Sequence, residues 1–280
     1  MKPKIYASVD DLAPAIETFK AQIASAGTSR FAGICGFDGF IDTFIRMEQP
    51  ATMAEFGPKV TAAAGIAASY ASTHQGDKFG GNGPLLASAI SDIFKNDIDV
   101  NYIGAMGDKS IMPIFQEALE GKIAQLHTLA APAHSDCLEF ADGKVMLCDM
   151  RSCAEITWER LLERVGQEPL DAMLRSSDFI AAVNWGKLPH VGDVWKNLAQ
   201  RLTVLGTPAK KTLFFMDLAE FEQRPEADRA ELLSLVAEVT QQCQTILSLN
   251  LKEGWQMAAT LGGDFQGRKQ ERQRRWQSDF

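Results

Sequence analysis

The stretch Thr245-Ile246-Leu247-Ser248-Leu249-Asn250-Leu251-Lys252-Glu253 decides the reading of this chain. It opens with a short apolar run of the kind that forms a buried strand, then turns into a helix expected over 252–261. An amide and a carboxylate three residues apart, straddling a strand-to-helix turn, can orient a hydrated Mg²⁺ beside nucleotide phosphates. A catalytic base and an anion cradle are expected to follow such a pair, and none does before Phe280. The chain reads as a phosphotransferase scaffold without its last stretch.

Working back from that strand, the pattern alternates. Helix 226–242, strand Thr212 to Met216, helix 190–204, strand Phe179 to Val183 and helix 157–175 are each marked by periodicity and by turn residues between them. Such βαβα order means a mainly parallel sheet covered on both faces. Further upstream, Asp136 to Phe140 and Lys144 to Asp149 flank Ala141-Asp142-Gly143, a hairpin signal that interrupts the alternation. Before it come a strand at Val100 to Ile103, followed by a helix at Ile111 to Leu119, and the helix Leu85 to Phe94, preceded by an Ala-rich helix near 60–73. The first strand, Phe31 to Cys35, runs into Gly36-Phe37-Asp38-Gly39-Phe40-Ile41-Asp42. Leu12, Ile16, Phe19 and Ile23 recur at helical spacing, giving an N-terminal helix over 10–26 that docks on the main body. Residues 266–280 are basic and lack apolar periodicity, as expected of a solvated tail.

Composition excludes several classes. The net charge of −8, from 36 acidic and 28 basic residues, disfavours nucleic acid or an anionic membrane as partner. No run approaches the ~18 apolar residues of a membrane span, and Met1-Lys2-Pro3-Lys4 leads into no signal-peptide core. Cys35, Cys137, Cys148, Cys153 and Cys243 show no zinc-ligand spacing and read as buried free thiols in a reducing cytoplasm. His74, His127, His134 and His190 share no motif spacing. Phosphate-loop, dinucleotide and nucleophile-elbow motifs are all missing.

The remaining polar positions follow strands or open helices, where open parallel sheets bind ligands. Asp42 and Asp38 end the first strand, and a carboxylate there can accept hydrogen bonds from substrate hydroxyls. Gly80 and Gly81 let backbone N–H groups approach a ligand, and Asn82 offers both donor and acceptor. Asp217, with Arg224 in the loop beyond it, and Asn184 stand at two further strand ends and are candidates for nucleotide or phosphate contact.

Taken in order, Gly36 to Asp42, Gly80-Gly81 before a helix, Ile103-Gly104-Ala105-Met106-Gly107-Asp108, the hairpin around Asp142-Gly143 and Asn250 to Glu253 resemble the ribokinase-like PfkB carbohydrate kinases over roughly residues 31–263. The resemblance implies an α/β fold of residues 31–265, with a mainly parallel sheet, helices on both faces and a small β lid from strands near 40–46 and 136–149. It implies transfer of the γ-phosphoryl of ATP to a hydroxyl of a sugar or nucleoside. Asp42, with Asp38 as second candidate, would hold sugar hydroxyls, and Gly80, Gly81 and Asn82 would line the sugar pocket. Asn250 and Glu253 would position Mg²⁺ and phosphate, and lid strands of this kind pair across a homodimer. Two departures stand out: Leu85 occupies a position that is asparagine in the family, and no Gly-Ala-Gly-Asp, the family's anion hole and base, occurs in the chain. The expectation is a carbohydrate kinase truncated at its C-terminus and inactive on its own. A non-catalytic sugar-binding or regulatory module on the same fold is the alternative.

Overall fold

In a computed structural model, residues 30–206, 212–222 and 224–262 are described, together with isolated helical positions between Asp10 and Ala21. The expected helix over 10–26 thus falls mostly outside the described residues, and the basic tail wholly so. A six-stranded, all-parallel sheet runs in the order β10-β9-β8-β1-β4-β5. Its strands are β1 (Phe31–Phe37), β4 (Ile98–Gly104), β5 (Gln125–Thr128), β8 (Phe179–Ala182), β9 (Leu213–Asp217) and β10 (Gln244–Ser248). A second sheet, ordered β3-β2-β6-β7, is built from β2 (Phe40–Gln49), β3 (Ala71–Gly80), β6 (Ala133–Phe140) and β7 (Gly143–Asp149). This is the expected lid, with the hairpin of β6 and β7 pairing antiparallel through residues 134–149.

The body folds around its sheet because successive strand residues face opposite sides. Ile34, Ile103, Ile180 and Ala182 point into one core, which helices α4 (Trp158–Val165), α5 (Gln167–Ser176), α6 (Val191–Val204) and α7 (Glu226–Gln242) cover with Leu161, Leu174, Trp195, Leu198 and Leu232. Cys35, Val100, Tyr102 and Ala181 face the other side, under α2 (Asn82–Phe94) and α3 (Pro113–Leu119), with Ala87, Phe115 and Leu119. The lid's base is tied to both cores, by Phe40 to the first and by Ile41 and Phe79 to the second. Helices α1 (Met53–Ala62) and α8 (Leu251–Thr260) complete the described elements. No helix among the described residues is long and apolar enough to cross a membrane.

Several expectations need correction. Residues 60–73 are not one helix: α1 ends at Ala62, and Ala71–Gly80 is a lid strand pairing antiparallel with β2. Alanines mimic a helix there, while the strand is largely exposed and carries little alternation. The helix over 157–175 is two helices, broken at Gly166, whose φ of 86° lies in the left-handed region that glycine enters freely. Strand β5 escaped detection because it is short and polar. The 245–249 strand is not fully buried. At the sheet edge among the described residues, Ile246 is 47% exposed. Cys148 is exposed, whereas the other cysteines are buried free thiols as expected.

One tether joins the helices of the first core. Arg201 on α6 donates from Nε and a terminal nitrogen to both oxygens of Asp171 on α5, and Gln167 donates a further bond. These hydrogen bonds, led by Arg201, hold the Asp171 carboxyl below its usual range. A depressed carboxylate contributes stability that is present above its unfolded pKa and lost as pH falls through the folded one. We therefore expect Asp171→Asn to lower the melting temperature at pH 7, with the gap to the parent closing as pH drops below about 4 in thermal melts.

Candidate functional site

Asp38 stands just beyond β1 and is fully buried, with 0% exposure. Its carboxylate accepts the backbone N–H of Asn82 at 2.8 Å and of Gly83 at 2.7 Å, the first residues of α2, and also the side-chain amide of Asn184. The Tyr102 hydroxyl donates to its backbone carbonyl. Burial pushes the Asp38 carboxyl above its usual range, against the pull of the bonds from Asn184, Gly83 and Asn82. Its carboxyl thus caps α2, satisfying N–H groups that a helix start leaves unpaired.

The glycine loop between β3 and α2 passes both aspartates. A Cβ on Gly80 would lie 2.5 Å from Asp42 Oδ2, and one on Gly81, whose φ is 105°, would lie 3.1 Å from Asp38 Oδ2. Only glycines let the backbone approach both carboxylates so closely. Asp42 itself lies on β2, opposite Lys78 of β3 and Ser135 of β6, and accepts no hydrogen bond from the described residues. Asn82, exposed at the start of α2, donates its side-chain amide to Asp217 Oδ1 at 3.0 Å. Asp217 ends β9, so this bond ties the start of α2 to the carboxyl end of that strand.

The structure therefore gathers Asp38, Asp42, Gly80, Gly81, Asn82, Asn184 and Asp217 at the carboxyl ends of the body strands. Strand order places β4 and β5 on one side of β1 and the later strands β8, β9 and β10 on the other. The crevice between β1 and β8 is the topological switch point of the sheet, the place where such folds bind ligands. Asp38 and Asn184 flank it.

Asn250 and Glu253 meet as a reciprocal cap of α8. Asn250 Oδ1 accepts the Glu253 N–H at 3.0 Å, Glu253 Oε2 accepts the Asn250 N–H at 2.9 Å, and the Asn250 side-chain amide donates to Oε1 at 2.6 Å. Capping alone accounts for the Asn-x-x-Glu spacing. Glu253 is 4% exposed, and its carboxyl is raised first by burial, with Asp217 adding a like charge and Asn250 and Lys252 opposing. No group of three or more metal-ligating side chains occurs among the described residues. Each side-chain oxygen of the pair already accepts a hydrogen bond within the cap. Removing the cap by Asn250→Ala should cost about 1 kcal/mol in a denaturant melt, because α8 loses one N–H partner.

Arg224 does not pair with Asp217 as a phosphate-binding unit. Its guanidinium lies over the Trp185 ring, 4.3 Å from the centroid, and donates to the carbonyls of Trp185, Leu188 and Pro189 and to Asp228. With its donors committed to the loop after β8, it shapes that loop instead. Leu85, at the family's asparagine position, is 51% exposed on α2. His74 and His134 pair with lid aspartates 77 and 136, and His127 with Gln125. What sequence reasoning missed is the Asp38–Asn184 bond, which links residues 146 apart and leaves no local spacing signal.

A family model described as prokaryotic ketohexokinase matches residues 26–273. A ketohexokinase of Haloferax volcanii is 26% identical over 239 residues, covering 81% of this chain. The chain spans 62% of that protein's length. Among solved structures, ribokinase from Giardia lamblia superposes with a TM-score of 0.52 at 11% identity, over 83% of this chain and 66% of that one. Adenosine kinase from Anopheles gambiae does so with a TM-score of 0.51 at 12% identity, over 83% and 68%. At such identities the likeness shows the fold alone, a ribokinase-like α/β body with a β lid.

Proposed function

This chain belongs to the prokaryotic ketohexokinase family, and from that premise we propose that it is part of an ATP-dependent carbohydrate kinase acting on a hydroxyl of a ketohexose or similar sugar. The observation that carries the reading is the convergence of a free lid carboxylate, Asp42, and a glycine loop pinned by Asp38 at the switch point of the sheet.

Asp42 accepts sugar hydroxyls, and the residues from Gly80 to Asn82 line the sugar's other side. Asp217 holds Asn82 in place through the bond between their side chains. The donor nucleotide would lie toward β10, where Asn250 and Glu253, at the start of α8, would hold a hydrated Mg²⁺. A divalent ion held there would supply positive charge beside the phosphates. As the bond from the γ-phosphorus to the ADP oxygen breaks, a bond to the sugar oxygen forms, and the hydroxyl proton passes to water. Closure of the four-stranded lid keeps water, a competing acceptor, from the phosphoryl group. The outer lid strand β7 is exposed along most of its length and suits pairing with a second copy of this chain.

The test is a binding and turnover panel. D-Fructose and Mg-ATP should each raise the melting temperature of the chain. Coupled detection of ADP reports transfer. Stabilisation by neither ligand overturns the reading.

A further inference from the structure

We propose that Asn184 is an acceptor-specificity residue: its side-chain carbonyl receives a hydrogen bond from a hydroxyl of the sugar, and Asp38 is the positioning residue that aims it. This rests on the sugar-kinase reading above and moves Asn184 from the nucleotide side of the cleft to the sugar side.

Asn184 is 4% exposed, and its Oδ1 is buried without a hydrogen-bond partner among the described residues. Buried polar atoms are rarely left unpaired, and the exceptions point to function. The amide nitrogen faces the Asp38 carboxyl, whose oxygens also accept the N–H groups of Asn82 and Gly83, and the amide oxygen faces away from it. The backbone is over-determined as well. Val183 N–H bonds to Gly36 O at 3.0 Å and Trp185 N–H to Asp217 O at 3.3 Å, so the residue is pinned between β1 and β9. Between those bonds Asn184 takes a φ of 65°, a left-handed conformation that costs a non-glycine residue free energy and clusters at ligand sites.

The orphan atom needs a donor. Phosphate oxygens at neutral pH only accept, so a nucleotide's phosphates cannot satisfy it, whereas a sugar hydroxyl can donate there while accepting from another group. Its location agrees. The Asp38 carboxyl that holds the Asn184 amide also caps the loop from Gly81 to Gly83, whereas Asn250 and Glu253 follow β10, which β9 separates from β8. Asn184 therefore forms the floor of the sugar pocket at the β1–β8 crevice.

The experiment compares the parent chain with Asn184→Gly, which suits the left-handed backbone and removes only the side chain. Binding of D-fructose, of its single-deoxy analogues and of Mg-ATP is measured by calorimetry. We expect Asn184→Gly to bind fructose about ten-fold more weakly and Mg-ATP as the parent does. One deoxy analogue should lose about ten-fold on the parent and nothing further on the variant, a signature that a purely structural role cannot produce. Asn184→Ser, with a smaller change in volume, serves the same comparison if the glycine variant does not fold. Equal deoxy penalties on parent and variant, or selective loss of Mg-ATP binding, overturn the proposal. A parent that binds Mg-ATP but no fructose overturns the ketohexose reading first, and the proposal with it.

Discussion

Replacing Asp38 by alanine should lower the melting temperature by about 6–12 °C, the consequence of roughly 3 kcal/mol lost when buried donors lose their partner. The donors are the N–H groups of Asn82 and Gly83 and the amide of Asn184, all of which converge on a carboxylate with no exposure. Alanine fills none of these roles, so the first turn of α2 frays and the glycine loop loses its anchor. Sugar binding should weaken in parallel, as a secondary effect. Circular dichroism melts combined with fructose titration check both. A variant that melts like the parent yet fails to bind sugar would mean that Asp38 contacts the ligand directly and that the cap is incidental.

Asp42→Ala should do the opposite. Asp42 accepts no hydrogen bond from the described residues and sits on a partly exposed lid strand, so its removal should change stability by no more than about 0.5 kcal/mol. Loss of a charged acceptor for sugar hydroxyls should weaken fructose binding about 10- to 100-fold, measured by calorimetry at constant pH. If fructose affinity is unchanged while the protein melts early, Asp42 serves the lid and not the ligand. Together the two variants test the aspartates of the Gly36 to Asp42 segment separately, Asp38 for capping α2 and Asp42 for contact with the sugar.

The segment illustrates how far sequence reasoning reaches. Two carboxylates beside glycines mark in the sequence where the core pattern of the first strand ends, because core strands exclude charge unless something polar is needed there. Their division of labour was not legible, since it depends on which one turns inward toward the start of α2. The same holds for Asn250 and Glu253: their spacing is local and was readable, and the structure adds that the two side chains cap α8 together. Strand β3 was misread because lid strands lack a core on both faces and so need not alternate. The partners of Arg224 are only partly local: Asp228 lies four residues on, whereas the carbonyls of residues 185, 188 and 189 are distant in sequence.

By itself the sequence determined the alternation of strands and helices, the lid hairpin and the polar positions at strand ends. Each follows from periodicities of two and 3.6 residues and from turn chemistry acting over a few neighbours. Only the tertiary structure decided the strand order, and with it the crevice between β1 and β8 that sets Asp38 against Asn184. That pairing joins parts of the chain 146 residues apart. It exists because both strands bury their apolar faces in the same two cores, which forces their polar ends together.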